Sequence, residues 1–256
     1  MNTVPAPAPA PAPRPRVVRV DAADGAALAV FCFGEDTGRT PLLFLHGNGG
    51  DHGSFYKMVA AFAPERLVVC PDSRDQGISE RGTAPLTYEL MAEDAIAALD
   101  ALGIPQAVVL GYSDGGIEAL LLARDHAGRI AGFATMGANI TPDGLVEGEG
   151  DAMLADEALY RDLVADFPKA ESQADLLRLM IDEPHIPAES LESISCPATI
   201  MAGEFDLIAE AETRTIHEHV PGSRLVIVPE AGHGLMRDAP DTVEAELRAL
   251  LERVEG

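Results

Sequence analysis

The sequence predicts an α/β fold, a mostly parallel doubly wound sheet of about eight strands flanked by helices, with a helical cap insertion. Three observations predict it. First, six short apolar runs without polar alternation, at residues 42–45, 67–70, 107–110, 130–136, 198–201 and 225–228, have the composition of strands covered on both faces. Second, helical stretches at 54–62, 87–102, 116–125, 208–219 and 241–254 separate most of these runs, and a strand, helix, strand rhythm builds parallel crossovers. Third, the rhythm stops between residues 137 and 197. Helical segments at 151–166 and 172–181 occur there without a strand, as in a cap laid over a site.

Taken in order, the chain opens with alternating Pro and Ala over residues 5–13, followed by Arg14-Pro15-Arg16. This composition favours an extended polyproline segment, so residues 1–15 read as a disordered or semi-rigid arm, either a plain leader or a docking arm. It lacks the apolar centre of a secretory signal. Residues 17–20 and 27–33 then read as an antiparallel hairpin about Ala23-Asp24-Gly25, placed at the leading edge of the sheet. The long helix at 87–102 opens on Thr87 without the Glu of a full capping box and stops at Gly103. The expected division is therefore a core of residues 16–136 and 198–256 interrupted by a cap at 137–197.

Composition narrows the function. A chain of 256 residues accommodates one such domain. Its formal charge of −24 arises from 42 acidic against 18 basic residues, with Lys57 and Lys169 the only lysines. That surface repels phosphate backbones and anionic headgroups, so neither nucleic acid nor membrane is an expected partner and a small-molecule substrate is. No apolar run approaches the roughly 18–20 residues of a membrane-crossing helix. Cys32, Cys70 and Cys196 lie in or beside apolar segments and read as buried thiols of a reducing, cytoplasmic compartment. No metal-binding spacing occurs, and no cofactor is expected. Nothing in the sequence sets the oligomeric state.

The chemistry is concentrated at Gly111-Tyr112-Ser113-Asp114-Gly115-Gly116, between the apolar run 107–110 and a helix. A G-x-S-x-G in that context is a sharp turn that lifts the serine hydroxyl above the sheet, although the pattern alone also occurs in ordinary Gly-rich turns. A serine hydroxyl is un-ionised at neutral pH and needs a base. Asp206 and His233 follow the runs 198–201 and 225–228, at the sheet edge where open α/β folds place their sites. Glu204 competes with Asp206 as the orienting acid, with Asp182 a remote third.

From about residue 17 onward the chain resembles the α/β-hydrolase family, in its serine esterase-like branch with a short helical cap. The resemblance rests on His46-Gly47-Asn48-Gly49-Gly50, on Asp72-Ser73-Arg74-Asp75-Gln76-Gly77-Ile78-Ser79, on the elbow at Ser113, on Gly203 to Asp206, and on Gly232-His233. It implies a triad of Ser113, Asp206 and His233, and an oxyanion hole from the backbone N–H groups of Asn48 and Asp114. His46 takes a structural role in such loops. Relatives commonly carry glycine where Asp75 stands, which leaves the local shape of that loop open. A serine at the elbow sets the chain apart from epoxide hydrolases and haloalkane dehalogenases, which use aspartate there.

The implied activity is cleavage of a small ester, thioester or lactone through an acyl-enzyme. Alternatives with the same triad are a cofactor-free perhydrolase and a carbon–carbon bond hydrolase, and a non-catalytic binding protein on the same fold is a third. The 14 acidic residues of 137–197 read either as a solvated outer face or as selection for an amine-bearing substrate. Met136, Met153, Leu154, Tyr160, Phe167, Leu179 and Met180 are candidates either for an apolar acyl pocket or for packing of the cap.

Overall fold

The computed structural model describes residues 14–256, so the Pro/Ala-rich arm read at 1–15 lies outside the described residues except for Arg14 and Pro15. The hairpin forms as expected. β1 (Arg16–Asp21) and β2 (Ala27–Phe33) pair antiparallel with Val17 opposite Phe31, and Asp24 Oδ1 accepts the Ala26 N–H inside the turn. The apolar runs then become β3 (Leu42–Leu45), β4 (Val68–Pro71), β5 (Ala107–Tyr112), β6 (Ile130–Met136), β7 (Ala198–Phe205) and β8 (Arg224–Gly232). Between and after them run α1 (Tyr56–Phe62), α2 (Tyr88–Ala101), α3 (Asp114–Asp125), α4 (Glu149–Leu163), α5 (Ala170–Asp182), α6 (Glu210–His219), α7 (Leu235–Asp238) and α8 (Pro240–Glu255).

The strands lie in one eight-stranded sheet of order β1-β2-β4-β3-β5-β6-β7-β8, parallel from β4 to β8 and antiparallel at β1 and β2. Strand periodicity explains why two cores result. Along β5, Ala107 and Val109 join the layer under α2 and α3, while Val108 and Leu110 join the layer under α1 and α8. All four are buried, as are Leu99 on α2 and Phe62 on α1. Fully burying a side chain of the latter size contributes roughly 1.5–3 kcal/mol.

Helix boundaries follow local chemistry. Thr87, in extended conformation, accepts the Leu90 N–H at 3.1 Å through its hydroxyl and starts α2 without any capping-box glutamate. β7 and β8 run on beyond their apolar runs, through Glu204-Phe205 and Pro229-Glu230. Pro229 is tolerated there because it falls in the register break of the β7–β8 ladder, at the edge of the sheet, where no ladder bond calls on its N–H. Cys32 and Cys70 are buried and Cys196 only partly so, all three as free thiols. No helix among the described residues is long and apolar enough to cross a membrane.

Two polar networks fasten the loops above the sheet. Arg74, fully buried, meets Asp94 of α2 with Nε–Oδ2 at 2.6 Å and Nη2–Oδ1 at 2.8 Å, and meets Asp24 of the hairpin turn at 3.1 Å. The second network starts at Asp75, which has φ of 63°. Its carboxylate accepts the Ser172 hydroxyl of α5 at 2.7 Å and pairs with Arg81 at 2.7 Å. Arg81 also reaches Asp175 of α5 at 2.9 Å, and Asp175 pairs with Arg161 of α4 at 2.7 Å. α4 buries no residue completely, whereas α5 buries Ala170, Ala174, Leu176 and Leu179. The acidic residues of α4 point mainly to solvent.

Candidate active site

The turn from β5 to α3 places Ser113 at φ 53° and ψ −116°, a conformation that side chains rarely adopt. Tertiary contacts hold it. The Ser113 N–H donates to the Met136 carbonyl at 2.8 Å, and the Ser113 carbonyl accepts from Gly116 N–H at 2.7 Å. Residues 111 and 115 must be glycine for steric reasons: a Cβ on Gly111 would collide with the Gly115 carbonyl, and one on Gly115 with the Leu45 carbonyl.

The hydroxyl so raised donates to His233 Nε2 at 3.0 Å, and His233 Nδ1 lies 2.6 Å from Asp206 Oδ1. A carboxylate only accepts, so Nδ1 carries the proton and Nε2 is left free to accept. Asp206 in turn accepts the N–H groups of Gly203 at 3.2 Å and Ile208 at 3.1 Å. Burial works to raise its pKa, but the hydrogen bond and charge of His233 and these two amides outweigh it and hold the carboxyl below its ordinary value. The imidazole is flanked by the Tyr112 ring, 5.1 Å away between centroids, and by Gly137. A Cβ at Gly137 would stand 2.7 Å from His233 Nδ1, which explains a glycine that no motif singles out.

The other candidates fall elsewhere. Glu204 is exposed and accepts the Glu230 N–H, and Asp182 is exposed and paired with Arg178 along α5. His46 is buried, accepts the Ser73 N–H at 3.0 Å and holds its loop, while His52 bonds Asp72 and stacks on Phe31. Neither Asn48 N–H nor Asp114 N–H donates to an acceptor in another of the described residues. The two loops that carry them touch, since Gly115 N–H donates to the His46 carbonyl at 3.1 Å.

The Asp114 carboxylate is buried beside the serine. It accepts from Asn48 Nδ2 and from the Tyr88 hydroxyl, each at 3.0 Å. Burial dominates over these donors and pushes its pKa from 3.8 to about 6. Glu118, one helical turn on, is raised further by burial and by Asp114, and its Oε1 has no partner among the described residues. A carboxyl whose pKa is higher folded than unfolded weakens the fold once it ionises. The cost is absent well below the unfolded value of 3.8 and complete above about pH 6. The displacement from 3.8 to about 6 corresponds to roughly 3 kcal/mol. Asp114→Asn is therefore expected to raise the unfolding midpoint at pH 8 by several degrees and to lose most of that advantage by pH 4; an offset independent of pH would contradict this.

Met153 of α4 and Met180 of α5, with Tyr88, Asn139, Leu145 and Ile208, close a cavity of about 20 Å³ over Ser113 and Asp114, room for one water molecule. A more open pocket of about 280 Å³ lies beside Tyr112 and Gly234, bordered by Tyr56, Lys57 and Arg237. Of the candidate pocket residues, Met136 and Leu179 belong to the core and Leu154 and Phe167 are exposed. Tyr88, Asn139, Leu145 and Ile208 carry no sequence signal, because separate connections bring them together only in the fold.

This geometry agrees with comparison to known proteins. The pattern of the alpha/beta hydrolase fold matches residues 40–179, and the chain belongs to that family of enzymes. It is 27% identical over 242 residues to the putative carbamate hydrolase RutD of Caulobacter sp. (strain K31), covering 83% of this chain and 90% of that protein. It is 26% identical over 261 residues to 3-oxoadipate enol-lactonase 2 of Acinetobacter baylyi, covering 90% and 95%. Among solved structures, an esterase from Thermogutta terrifontis superposes with a TM-score of 0.78 at 23% identity, covering 94% of this chain and all of that one.

Proposed function

We propose that the chain hydrolyses small carboxylic esters, with thioesters and lactones as related acyl donors, through an acyl-enzyme on Ser113. The observation that carries the reading is the unbroken hydrogen-bonded line from Ser113 Oγ through His233 to Asp206 at 3.0 and 2.6 Å. Two relatives support acyl chemistry in general, one described as a carbamate hydrolase and the other as an enol-lactonase.

Ser113 Oγ attacks the substrate carbonyl carbon as its proton passes to His233 Nε2, and Asp206 stabilises the resulting imidazolium. The negative charge on the carbonyl oxygen is met by the N–H groups of Asn48 and Asp114, neither of which is engaged by another described residue. Collapse expels the alkoxide, which takes the proton from His233. A water, deprotonated by His233, then attacks the acyl-enzyme and releases the acid and free Ser113. Residues 137–197 serve as the cap, through Met153 and Met180, and the small size of the cavity over Ser113 favours short acyl chains.

A fluorophosphonate probe tests the nucleophile. Wild type is expected to take up one label, at Ser113, and His233→Ala to react far more slowly; an unlabelled wild type sinks the proposal. A series of p-nitrophenyl esters tests the substrate class, with kcat/KM expected to fall steeply from acetate to octanoate.

A further inference from the structure

The two residues that offer the oxyanion N–H groups are also joined through their side chains. Asn48 Nδ2 donates to Asp114 Oδ2 at 3.0 Å, although the two residues are 66 positions apart in the chain. Its other hydrogen goes to the Leu176 carbonyl of α5, also at 3.0 Å. Both donors of the amide are thus used. The second oxygen of Asp114 is held by the Tyr88 hydroxyl.

From this arrangement we propose that the Asn48–Asp114 side-chain pair is a strut that sets the spacing of the two oxyanion N–H groups and ties that spacing to the seat of α5. The inference rests on the acyl-transfer reading above.

The physical need is clear from where the two amides stand. Asp114 is the first residue of α3, and its N–H is as fixed as the helix. Asn48 lies in an irregular loop whose neighbours are anchored, Gly50 N–H to the Gly47 carbonyl at 3.0 Å and Gly49 N–H to Gln76 Oε1 at 2.7 Å. Its own N–H has no such anchor among the described residues. An oxyanion donor must hold its place to about 0.5 Å, and a misplacement near 1 Å costs on the order of 10²-fold in rate. The side chain supplies what the loop backbone lacks, by hanging residue 48 from the helix that carries the other donor. Because the same amide grips the Leu176 carbonyl, a displaced α5 loosens residue 48 as well.

Asn48 and Asp114 are positioning residues in this role, since neither side chain meets the reacting atoms. The role is separable from simple satisfaction of a buried carboxylate by exchanging the partners. In Asn48→Asp two carboxylates face each other and the strut is broken. Adding Asp114→Asn restores the bond between positions 48 and 114 with reversed polarity, while the Leu176 carbonyl stays without its donor, so recovery is partial. The amide then stands at position 114 and donates to the carboxylate at position 48, while the amide oxygen still accepts from the Tyr88 hydroxyl.

The test compares kcat and KM for p-nitrophenyl acetate in wild type, Asn48→Asp, the exchanged double variant and Asn48→Ala. A strut acting on the transition state predicts a fall of about 10²-fold in kcat for Asn48→Asp, with KM changed by no more than about threefold. The double variant is expected to recover at least about tenfold of that loss. Should Asn48→Asp fail to fold, Asn48→Ala carries the test, with kcat reduced by about tenfold or more at near-constant KM. Full kcat in Asn48→Ala, or a double variant no faster than a folded Asn48→Asp, overturns the strut. Fluorophosphonate labelling of wild type separates the two ideas. Without labelling the hydrolase reading falls, whereas with labelling and turnover intact, failure of the exchange removes the strut alone.

Discussion

Ser113→Ala is expected to lower ester turnover by about 10⁴-fold or more while the unfolding midpoint stays within a few degrees of wild type. Removing one oxygen takes away the proposed nucleophile and the donor to His233 Nε2. It leaves the backbone bonds that hold the elbow, from Ser113 N–H to the Met136 carbonyl and from Gly116 N–H to the Ser113 carbonyl. Alanine is no larger than serine and meets the same positive-φ backbone at 53°. The residual rate should be that of a site able to bind the carbonyl and polarise it without attacking it. Steady-state kinetics on purified protein, with thermal unfolding followed in parallel, measure both halves. Wild-type turnover in the variant removes Ser113 from the mechanism.

Arg74→Met is expected to produce the largest loss of stability, about 3–5 kcal/mol. The guanidinium is fully buried and holds Asp94 by two bonds and Asp24 by one, with a further bond to the Arg81 carbonyl at 3.2 Å. Methionine fills much of the volume, so the loss reflects charge more than a void. Burial already pushes the Asp94 carboxyl above its ordinary value despite Arg74, and without Arg74 its ionised form has no buried cation to compensate it. Acid relieves it, so the deficit should shrink as pH falls toward about 4, where an ordinary aspartate takes up its proton. Denaturant titration at about pH 8 and about pH 4, the two ends of that change, gives the comparison. A loss below about 1 kcal/mol at the higher pH would show the buried network to be energetically idle.

Much of the fold was legible because its signals are local. Continuous apolar runs marked the parallel strands, and the Ala23-Asp24-Gly25 turn marked the edge hairpin. What the runs could not show was where β7 and β8 end, since pairing to a neighbour carries a strand through Glu204 and Pro229 where composition argues against it. Within the candidate site, Ser113, Asp206 and His233 stand together as the motif order implies, and geometry separates Asp206 from Glu204, two residues away. Gly137, Tyr88 and Glu118 carry no local signal. The first is glycine because its backbone takes φ 63° and because an imidazole arrives from the end of β8, and the other two matter only because α2 and α3 bury them against Asp114. Arg74 likewise stands inside a motif of the family while its two partners, Asp24 and Asp94, are distant in sequence.

Asp75 stands where the resemblance to the family leads one to expect glycine, and its presence there has a mechanical side. Glycine takes a left-handed turn freely, whereas most residues with a Cβ lose about 1–2 kcal/mol to adopt it and aspartate, which tolerates it better, loses less. Here the carboxylate reaches Ser172 and Arg81, so the strained turn doubles as a fastening on the helix that supplies Met180 to the cavity. Replacing Asp75 by glycine would relax the turn and slacken that helix at once, moving rigidity and access in opposite directions. The seat of the helix above the serine is thereby fastened from a loop that contributes none of the residues that wall the cavity.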